Sequence, residues 1–594
     1  GLYSVTARLL RTVRPPTPSA IPSSGPAAWL PTRTETSFQP STGLEAARVE
    51  TGDITRPEQA RCTVTGYAQP NTTVNLVNLV TQVETYALPC SGSGVNGLRA
   101  PTSATLADLV AQNRTFYDTP TFDPSWPQPA APTVGDVSMT QRASDTDGQL
   151  SFLTTATSGF DRYGRATAST DGNDSTSTTA YTEVNGLTTR TVETNPLGHT
   201  ATTTLDPTRG LSVTSTDANA RTTTLGYDAL GRLTSVWRPG QATTGAPDLR
   251  FGYQVSQTQP STATTETLLN GGSYRRQVAF YDALARARQT QSQTPDGKRL
   301  VSDTFYDTRG WVYKTNNSYY DAESAPSTTM VNMVGRDQLI RNQTQTFFDG
   351  IGRKVREVSL NQGQVTAETR TIYGGDRTTV LPPTGGTPTT TLVDGLGRTV
   401  ELDSYRTQPT VAGNVVTGGG PVRIRYGYDR RGNQASTTDD AGNSWTSTYD
   451  LLGRVVARHD PDSGDSGARY DQVGNQLSGT SAAGLVSYAY DKLNRRIARY
   501  DGDTSTVPVA TWTYDSTTIT NGIGQLARST SRVGDEVYTS SVTGYTRLGA
   551  PTGAKITIPP SLANGALARD YVFANTYTAT TGLMVKTTLE KVGN

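Results

Sequence analysis

One six-residue phrase recurs along the chain: an aromatic residue, Asp, two variable residues, Gly, and then Arg or Asn. The clearest copies occupy residues 227–232, 348–353 and 449–454. Looser copies begin at Phe160, Tyr281, Tyr306, Val393, Tyr428, Tyr470 and Tyr490. Such self-similarity is typical of repeat architectures, in which each unit buries its surface only against its neighbours. Repeats also suit a chain of 594 residues, which is too long for one ordinary core.

The phrase predicts a tight turn, because its Asp and Gly are three residues apart. Asp is favoured at the first position of a β-turn, where its carboxylate accepts a backbone N–H two residues later. Gly tolerates the positive φ needed at the fourth position, and Asn494 can replace it. Ala285 breaks this rule, so we expect a different turn there. The predicted structural turn residues are Asp228, Gly231, Asp349, Gly352, Asp450, Gly453, Asp471 and Gly474.

The sequence around each phrase predicts strands. Val400 and Leu402 alternate with Thr399, Glu401 and Asp403, which indicates a strand whose buried face carries the two aliphatic residues. The Asp residues at 429, 450, 471 and 491 are 21, 21 and 20 residues apart, enough for two strands and two turns. Longer separations between successive Asp residues, such as 349 to 394, predict either a worn copy, meaning a degenerate copy of the phrase, or a loop insertion. The predicted fold is all-β, built from tandem β-hairpins.

Composition narrows the classes of partner. The net charge is +1, which provides no electrostatic surface for nucleic acid or an anionic membrane. No apolar run approaches membrane-spanning length. The two cysteines, Cys62 and Cys90, are compatible with a disulfide or with free thiols, and they lack the nearby histidines of a metal site. We expect neither nucleic acid nor a membrane span among the partners.

Three regions follow from the distribution of the phrase. Residues 1–135 form a divergent, proline-rich β region, and residues 136–543 carry the clear repeats. Residues 544–594 continue the array without an obvious cap. Because repeat arrays need capping at both ends, we expect the chain to be part of a longer precursor that contributes further shell segments.

The repeated Tyr-Asp-x-x-Gly-Arg phrase resembles that of the YD-repeat, or Rhs (rearrangement hotspot), superfamily. The resemblance is strong over residues 155–520, and residues 521–526 are similar to another recurrent feature of these proteins. Members include bacterial Rhs polymorphic toxins, the C component of insecticidal toxin complexes, and animal teneurins. The resemblance implies a β-sheet that spirals into a hollow shell, which in the toxin relatives encloses a C-terminal toxic domain.

The N-terminal region resembles secreted actinobacterial members of the superfamily. The similar stretches are residues 61–67, residues 83–85 with Cys90, and residues 114–118. This resemblance implies a disulfide between Cys62 and Cys90 and an exported bacterial protein, either secreted or at the cell surface. The relatives also free their toxic domain by aspartyl autoproteolysis at a Pro followed by Asp-Pro-x-Gly. Residues 460–464 have one residue too many for that signature, so we predict a hairpin loop there.

No pattern in the sequence predicts catalysis, a cofactor or a metal site. His199 and His459 have no partner at the spacing of a metal site or a catalytic triad. Residues 92–97 match Gly-x-Gly-x-x-Gly, but no βαβ pattern surrounds them, so we predict a loop. Residues 145–148 hint at a calcium loop, yet its twelfth position is Ala156, so we predict a surface turn.

The leading hypothesis is therefore a non-catalytic β-shell that encloses and protects a toxin or effector polypeptide for export and delivery in bacterial competition. The enclosed polypeptide would be C-terminal or a separate chain. The alternative is a teneurin-like scaffold for cell-surface adhesion or glycan binding, suggested by outward faces rich in Thr, Arg and Gln. An enzyme hidden within residues 1–135 is a third, weaker hypothesis.

Overall fold

The computed structural model describes residues 5–12, 29–52, 56–92, 97–118, 128, 130–145 and 148–589. In this part of the chain the regular structure consists of β-strands and short 3-10 helices, with no α-helix. Forty-one of the described strands form one antiparallel sheet, and the other two form a separate hairpin. Successive strands pair in chain order, except that β27 (Thr399–Tyr405) pairs with β30 (Pro421–Tyr428). The predicted all-β class and the antiparallel hairpins are confirmed.

The first nine strands are β1 (Val5–Thr12), β2 (Trp29–Phe38), β3 (Glu45–Thr51), β4 (Ala60–Tyr67), β5 (Val80–Tyr86), β6 (Leu109–Tyr117), β7 (Val137–Ser144), β8 (Ser151–Phe160) and β9 (Ala166–Asp171). The next group is β10 (Thr176–Val184), β11 (Leu187–Thr194), β12 (Thr200–Asp206), β13 (Leu211–Thr216), β14 (Thr222–Tyr227), β15 (Leu233–Trp237), β16 (Leu249–Gln254), β17 (Ser261–Leu268), β18 (Tyr274–Tyr281), β19 (Ala287–Gln293), β20 (Arg299–Tyr306), β21 (Val312–Asp321), β22 (Gln343–Phe348) and β23 (Lys354–Asn361).

The remaining strands are β24 (Gln364–Tyr373), β25 (Arg377–Leu381), β26 (Thr389–Val393), β27, β28 (Thr410–Ala412), β29 (Val415–Thr417), β30, β31 (Gln434–Thr438), β32 (Ser444–Tyr449), β33 (Val455–Asp460), β34 (Gly464–Tyr470), β35 (Gln476–Ser481), β36 (Gly484–Tyr490), β37 (Arg496–Asp501), β38 (Ala510–Tyr514), β39 (Leu526–Val533), β40 (Glu536–Tyr545), β41 (Pro551–Thr557), β42 (Asp570–Tyr577) and β43 (Met584–Leu589). Short 3-10 helices lie at Pro57–Gln59, Leu106–Asp108, Asp337–Leu339 and Gly565–Leu567.

The chain divides into two compact units, and each unit contains two separate segments. Unit 1 comprises Gly1–Ser177 and Arg370–Ser487. Within it, Leu451 packs against Leu109 and Ala143, more than 300 residues earlier in the chain, and all three are buried. The sheet of unit 1 is thus joined both by its strand pairs and by apolar contacts between the turn at Leu451 and the distant strands β6 and β7. This organisation does not test the predicted boundaries at residues 135 and 543, which stay a prediction.

Unit 2 comprises Thr178–Thr369 and Tyr488–Asn594. Its most buried apolar residues are Val278, Phe280, Val301, Ile340 and Val358, all at most 1% exposed. Val278 and Phe280 lie on β18 and Val301 lies on β20. Both strands pair with β19, where Gln291 faces Val278 on one side and Val301 on the other. Polar residues therefore alternate with apolar ones across this buried face, which is unusual for a sheet packed on a core.

The prediction that Val400 and Leu402 mark the buried face of β27 is wrong. Both are only half-buried, whereas Asp403 and Tyr405 on the opposite face are buried. The hairpin of β28 and β29 explains the reversal, because its residues line the same cavity as Asp403 and Tyr405. Sequence alternation located the strand correctly but did not identify which face a neighbouring loop covers.

The long steps between repeats have two different causes. Between residues 349 and 394, β24 ends at Tyr373 and a turn through Gly374 and Gly375 leads into β25, which is a worn copy. Between residues 307 and 349, the segment 322–342 is inserted between β21 and β22. Both alternatives offered by the sequence therefore occur.

Candidate functional site

The most repeated local structure is the turn encoded by the phrase, and residues 449–454 show its geometry. The N–H of Gly453 donates to the carbonyl of Asp450 at 3.0 Å, and the N–H of Asp450 donates to the carbonyl of Arg454 at 3.0 Å. Oδ1 of Asp450 accepts the N–H of Leu452 at 3.0 Å and that of Arg454 at 2.9 Å. Gly453 has φ +78°, as a three-residue hairpin loop requires. The Asp side chain thus supports the whole loop.

The other predicted turn residues adopt the same arrangement. Gly231, Gly352 and Gly474 all have positive φ, and each donates its N–H to the carbonyl of the Asp three residues earlier. Those Asp residues are Asp228, Asp349 and Asp471. In each, the second carboxylate oxygen accepts a side-chain N–H from the last residue of the phrase, Arg232, Arg353 or Asn475.

The expectation of a different turn at Ala285 is wrong. Ala285 adopts φ +59°, and its N–H donates to the carbonyl of Asp282 at 3.0 Å. Oδ1 of Asp282 accepts the N–H groups of Leu284 and Arg286 at 2.9 and 3.0 Å. These hydrogen bonds hold a non-glycine residue in the left-handed region, where it is disfavoured by about 1–2 kcal/mol.

The arginine of the phrase connects one turn to the following hairpin, a role that sequence reasoning missed. Nε of Arg454 donates to Oδ2 of Asp450 at 2.7 Å, and its guanidinium lies 4.9 Å from the ring centroid of Tyr470. The Tyr470 hydroxyl donates to the carbonyl of Val455 at 2.9 Å. The same stacking joins Arg232 to Tyr253, Arg286 to Tyr306, Arg398 to Tyr428 and Arg495 to Tyr514.

One copy preserves this connection with different residues. The turn that begins at Asp307 ends in Trp311 instead of Arg, and the next phrase begins with Phe348 instead of Tyr. The Trp311 and Phe348 rings lie 5.2 Å apart in a tilted arrangement. An aromatic pair therefore replaces the cation–π pair, and both kinds favour contact between the two phrases. This paired exchange is a sequence signal that could have revealed the contact.

In the repeated turn, the charged Asp and Arg side chains bind each other and the loop backbone. The backbone N–H of Arg232 and its guanidinium lower the pKa of Asp228. The Arg286 side chain, followed by its backbone N–H, lowers the pKa of Asp282. A carboxylate held ionised with both oxygens hydrogen-bonded is a poor general acid or base at neutral pH. Asp228 and Asp282 are therefore unsuited to proton transfer.

The two variable residues of the phrase make lateral contacts within unit 1. Arg430 pairs with Asp108, which is buried. The Arg431 guanidinium donates to Oδ2 of Asp145 at 2.8 Å, and Oδ1 of Asp145 accepts the N–H of Leu451 at 2.6 Å. Asp145 thus contacts residues about 300 positions later in the chain. Its carbonyl also accepts the N–H of Gly148 at 2.9 Å, so the predicted turn is present, although Asp145 itself is half-buried. Thr146 and Asp147 of the predicted turn lie outside the described residues.

A similar lateral contact occurs within unit 2. Nδ2 of Asn219 donates to the carbonyl of Ile523 at 2.8 Å, and the N–H of Ile523 donates back to Oδ1 of Asn219 at 2.9 Å. Ile523 belongs to the stretch 521–526 that resembles a recurrent family feature. The stretch therefore has a structural role, because its residue Ile523 binds a distant turn of the same unit through two hydrogen bonds.

Cys62 and Cys90 are joined by a disulfide, with their Cα atoms 4.9 Å apart. Cys62 is fully buried in β4. The bond ties that strand to the loop that follows β5, inside unit 1. Of the predicted loop at residues 92–97, residues 93–96 lie outside the described part of the chain.

The two histidines lie in ordinary turns or hairpins. His199 closes a turn in which Oδ1 of Asn195 accepts its backbone N–H at 3.0 Å. His459 lies on β33, and its Nδ1 is 2.7 Å from Oδ1 of the exposed Asp465. Residues 460–464 form the loop of the β33–β34 hairpin, as predicted. Within the described ranges, no group of three or more His, Cys, Asp or Glu residues is placed to hold a metal ion.

A polar cavity of about 550 Å³ lies in unit 1 beneath the β28–β29 hairpin. Its walls include Arg377, Glu401, Asp403, Arg423 and Arg425. Oδ1 of Asp403 lies 3.3 Å from Nε of Arg423 but makes no hydrogen bond. Burial and the nearby Glu401 carboxylate raise the pKa of Asp403. The cavity therefore offers both donors and acceptors to a polar ligand.

None of the helical segments in the described part of the chain has the length and hydrophobicity needed to cross a bilayer.

Comparison with known protein families places the RHS Repeat family on residues 412–464. This stretch begins in the β28–β29 hairpin and extends through the phrases at Asp429 and Asp450. No curated protein sequence matches the chain. The family match thus covers one part of the array, and the larger comparison comes from structures.

Three solved structures share the fold over nearly the whole chain. The crystal structure of TcdB2-TccC3 has a TM-score of 0.72 and 14% identity, and the match covers 99% of this chain and 37% of that one. The crystal structure of TcdB2-TccC3 without its hypervariable C-terminal region has a TM-score of 0.72 and 13% identity, and the match covers 99% of this chain and 38% of that one. The structure of the Photorhabdus luminescens Tc holotoxin pore has a TM-score of 0.71 and 14% identity, and the match covers 94% of this chain and 36% of that one.

The present chain therefore spans less than two fifths of the length of these relatives. At such low identity the likeness shows the fold and not the activity. Together with the RHS Repeat match, it confirms the predicted resemblance to the Rhs/YD-repeat superfamily.

Proposed function

We propose that this Rhs/YD-repeat protein is a non-catalytic β-shell component that encloses and protects a toxin or effector polypeptide during export and delivery. The observation that carries the proposal is the fold shared with TcdB2-TccC3 over 99% of the chain. The partner would be an effector polypeptide from the same precursor or from a separate chain. Further shell segments of that precursor would complete the enclosure.

The chemistry of the repeated turn supports a scaffold. Oδ1 of Asp450 binds the loop backbone, Oδ2 binds Arg454, and Arg454 stacks on Tyr470. All these groups are committed to holding hairpins together, so the repeats supply rigidity and not reactivity. A strand that is paired on both sides also resists adding a foreign strand, which suits a container for an unfolded chain.

Secretion fits the proposal, because a disulfide between Cys62 and Cys90 is stable in an oxidising compartment. The expected location is outside the bacterial cytoplasm, either secreted or at the cell surface. Delivery to a competing cell follows from the family resemblance and is part of the proposal.

Electron cryo-microscopy of the purified full-length precursor tests the enclosure. We expect a closed lumen that contains density for the effector polypeptide. Limited proteolysis provides the matched measurement: the effector should survive in the intact assembly and be degraded when it is produced alone. A solid rod without a lumen, or equal degradation of the effector in both samples, would overturn the proposal.

A second candidate function, binding of glycans at a cell surface, is favoured only by the polar cavity under the β28–β29 hairpin. Its carboxylates and arginines suit a ligand with several hydroxyl groups or a carboxylate. A glycan array with the wild type and the Asp403→Ala variant tests it. Binding that the substitution abolishes would favour adhesion, and an array without any bound glycan would reject it.

A further inference from the structure

The segment 322–342 joins β21 to β22 and has no strand of its own, and we call it the strap. It contains only the short 3-10 helix Asp337–Leu339. Connections of this length without regular structure are uncommon in compact proteins and are often functional. Side-chain hydrogen bonds place the strap on the face of unit 2 formed by β19, β20 and β22. It belongs to neither the repeated turns nor the cavity described above.

Two glutamine side chains bind the main chain of the strap. The Gln289 amide donates to the carbonyl of Val331 at 2.8 Å and accepts the N–H of the same residue at 2.9 Å. The Gln291 amide donates to the carbonyl of Thr329 at 2.9 Å and accepts the N–H of Ser327 at 3.0 Å. The contacts fall on alternate strap residues, as they do between paired strands. The two amides therefore act in place of a strand edge.

Charged neighbours fix the orientation of both amides. An ionised carboxylate is an acceptor and never a donor, and Asp303 accepts a hydrogen bond from Nε2 of Gln289 at 2.6 Å. The Arg299 guanidinium can only donate, and it binds Oε1 of Gln291 at 2.9 Å. Because both glutamines and both charged residues are at most 8% exposed, the pair is a built polar site and not a surface contact.

The buried network continues along the sheet. Nδ2 of Asn316 donates to Oδ2 of Asp303 at 2.9 Å, and Nε2 of Gln343 donates to Oδ1 of Asn316 at 2.9 Å. Asn316 and Gln343 are at most 1% exposed. Asp303 accepts hydrogen bonds on both of its oxygens, which holds Gln289 and Asn316 in one arrangement, whereas Oε1 of Gln343 at the end of the row has no hydrogen-bond partner. The amides of Gln289 and Gln291 are thus preorganised before any chain binds them.

The strap is bound through its backbone at these positions. The side chains of Thr328, Thr329 and Asn332 are exposed, and Val331 is half-buried. Side chains anchor the strap at both ends of this stretch: Pro326 is buried before it, and after it Asp337 pairs with Lys314 and Ile340 is buried. Between Ser327 and Val331 the site thus recognises extended main chain, a feature that every polypeptide shares.

We infer that Gln289 and Gln291 form a binding site for extended polypeptide main chain, which the strap occupies in cis. An unfolded segment of another polypeptide can occupy it when the strap is released. The inference goes beyond enclosure, because it assigns two residues that contact a chain directly. It does not need the enclosure to be correct, since the strap itself is the resident ligand.

The first test uses the full-length protein and a pair of substitutions at Val331. Val331→Pro removes the N–H that Gln289 accepts, whereas Val331→Ala keeps it and shortens the side chain. Hydrogen exchange of residues 324–334 should accelerate roughly tenfold in the proline variant and by less than about threefold in the alanine variant. Equal acceleration in both variants would overturn the inference, because it would show that side-chain packing holds the strap.

The second test opens the strap and supplies a ligand. A specific protease site is inserted between the exposed residues Val334 and Gly335 and then cleaved. A labelled peptide with the sequence of residues 324–332 is added, and binding is measured by fluorescence anisotropy. We expect a peptide with the same composition, permuted around a fixed proline, to bind within about threefold. N-methylation at the position of Val331 should weaken binding by about tenfold.

The matched protein control carries Gln289→Met and Gln291→Met, which keep side-chain length and remove the amides. It should lose peptide binding while its hydrogen exchange in unit 1 stays unchanged. Failure of the opened protein to bind any peptide, or undiminished binding of the N-methylated peptide, would overturn the inference. Neither result bears on the lumen seen by microscopy, so failure here is distinguishable from failure of the proposed function.

Discussion

The contact between Arg454 and Tyr470 allows a direct test of how one repeat stabilises the next. The Arg454 side chain is 17% exposed, donates to Asp450 at 2.7 Å and lies 4.9 Å from the Tyr470 ring. Cation–π pairs contribute about 0.5–1 kcal/mol at exposed sites and about 2 kcal/mol when desolvated. For this half-buried pair we expect a coupling free energy of about 1 kcal/mol.

A double-mutant cycle isolates that coupling from the other contacts of Arg454. The first cycle uses Arg454→Met, Tyr470→Leu and the double variant. The matched control is a second cycle in which Tyr470→Phe takes the place of Tyr470→Leu. Phenylalanine keeps the ring and loses only the hydroxyl, which donates to Val455 at 2.9 Å. Tyr470→Phe alone should cost about 1 kcal/mol, the net value of one hydrogen bond.

Hydrogen exchange of residues 455–470 measures the local opening free energy, which is the relevant quantity in a repeat array that need not unfold in one step. A coupling of about 1 kcal/mol corresponds to roughly a fivefold difference in protection between the double variant and the sum of the single variants. The cycle with phenylalanine should show little coupling. A coupling near zero with leucine, or equal coupling in both cycles, would refute the stacking.

Three further outcomes are expected. Ala285→Gly should slow hydrogen exchange at its turn, because relief of about 1–2 kcal/mol of positive-φ strain exceeds the roughly 0.4–1 kcal/mol entropic cost of glycine; unchanged exchange would contradict this. Reducing the Cys62–Cys90 disulfide should destabilise the surrounding strands by roughly 3–4 kcal/mol for a separation of 28 residues, measured by the same method with and without reductant. The depressed pKa of Asp228 means that its bond to Arg232 stabilises the turn above about pH 4, the usual carboxyl pKa, and weakens as the pH falls through the lower folded value. Asp228→Asn should remove that acid sensitivity, and equal acid loosening in both proteins would refute the assignment.

The turns could be predicted from sequence because their causes are local. Asp450 and Gly453 are three residues apart, and every hydrogen bond that closes their loop lies within five residues. The same locality misled the prediction at Ala285, where residue preference was given more weight than the surrounding hydrogen bonds. Those bonds are strong enough together to impose a left-handed backbone on alanine.

The contacts between repeats could be predicted only in part. Arg454 meets Tyr470 one hairpin later, and the exchange of both partners at Trp311 and Phe348 was visible in the sequence. Asp145 and Arg431 are 286 positions apart, and no periodicity relates them. Their pairing depends on how many strands separate the two turns, which single-sequence patterns do not determine.

The recurring and the variable positions of the phrase have different roles, and this difference indicates where specific function resides. The Asp of the phrase, the positive-φ residue three positions later and the last residue build the turn or reach the next hairpin, so these positions have a similar structural role from copy to copy. The two variable residues differ from copy to copy: Leu451 is buried against the distant strands β6 and β7, whereas Leu284 is 73% exposed. Departures from the phrase go further, since the strap exists only where an insertion interrupts the spacing. Properties particular to this protein must therefore arise from its variable residues and insertions, and the buried amides of Gln289 and Gln291 beneath the strap are the most developed example.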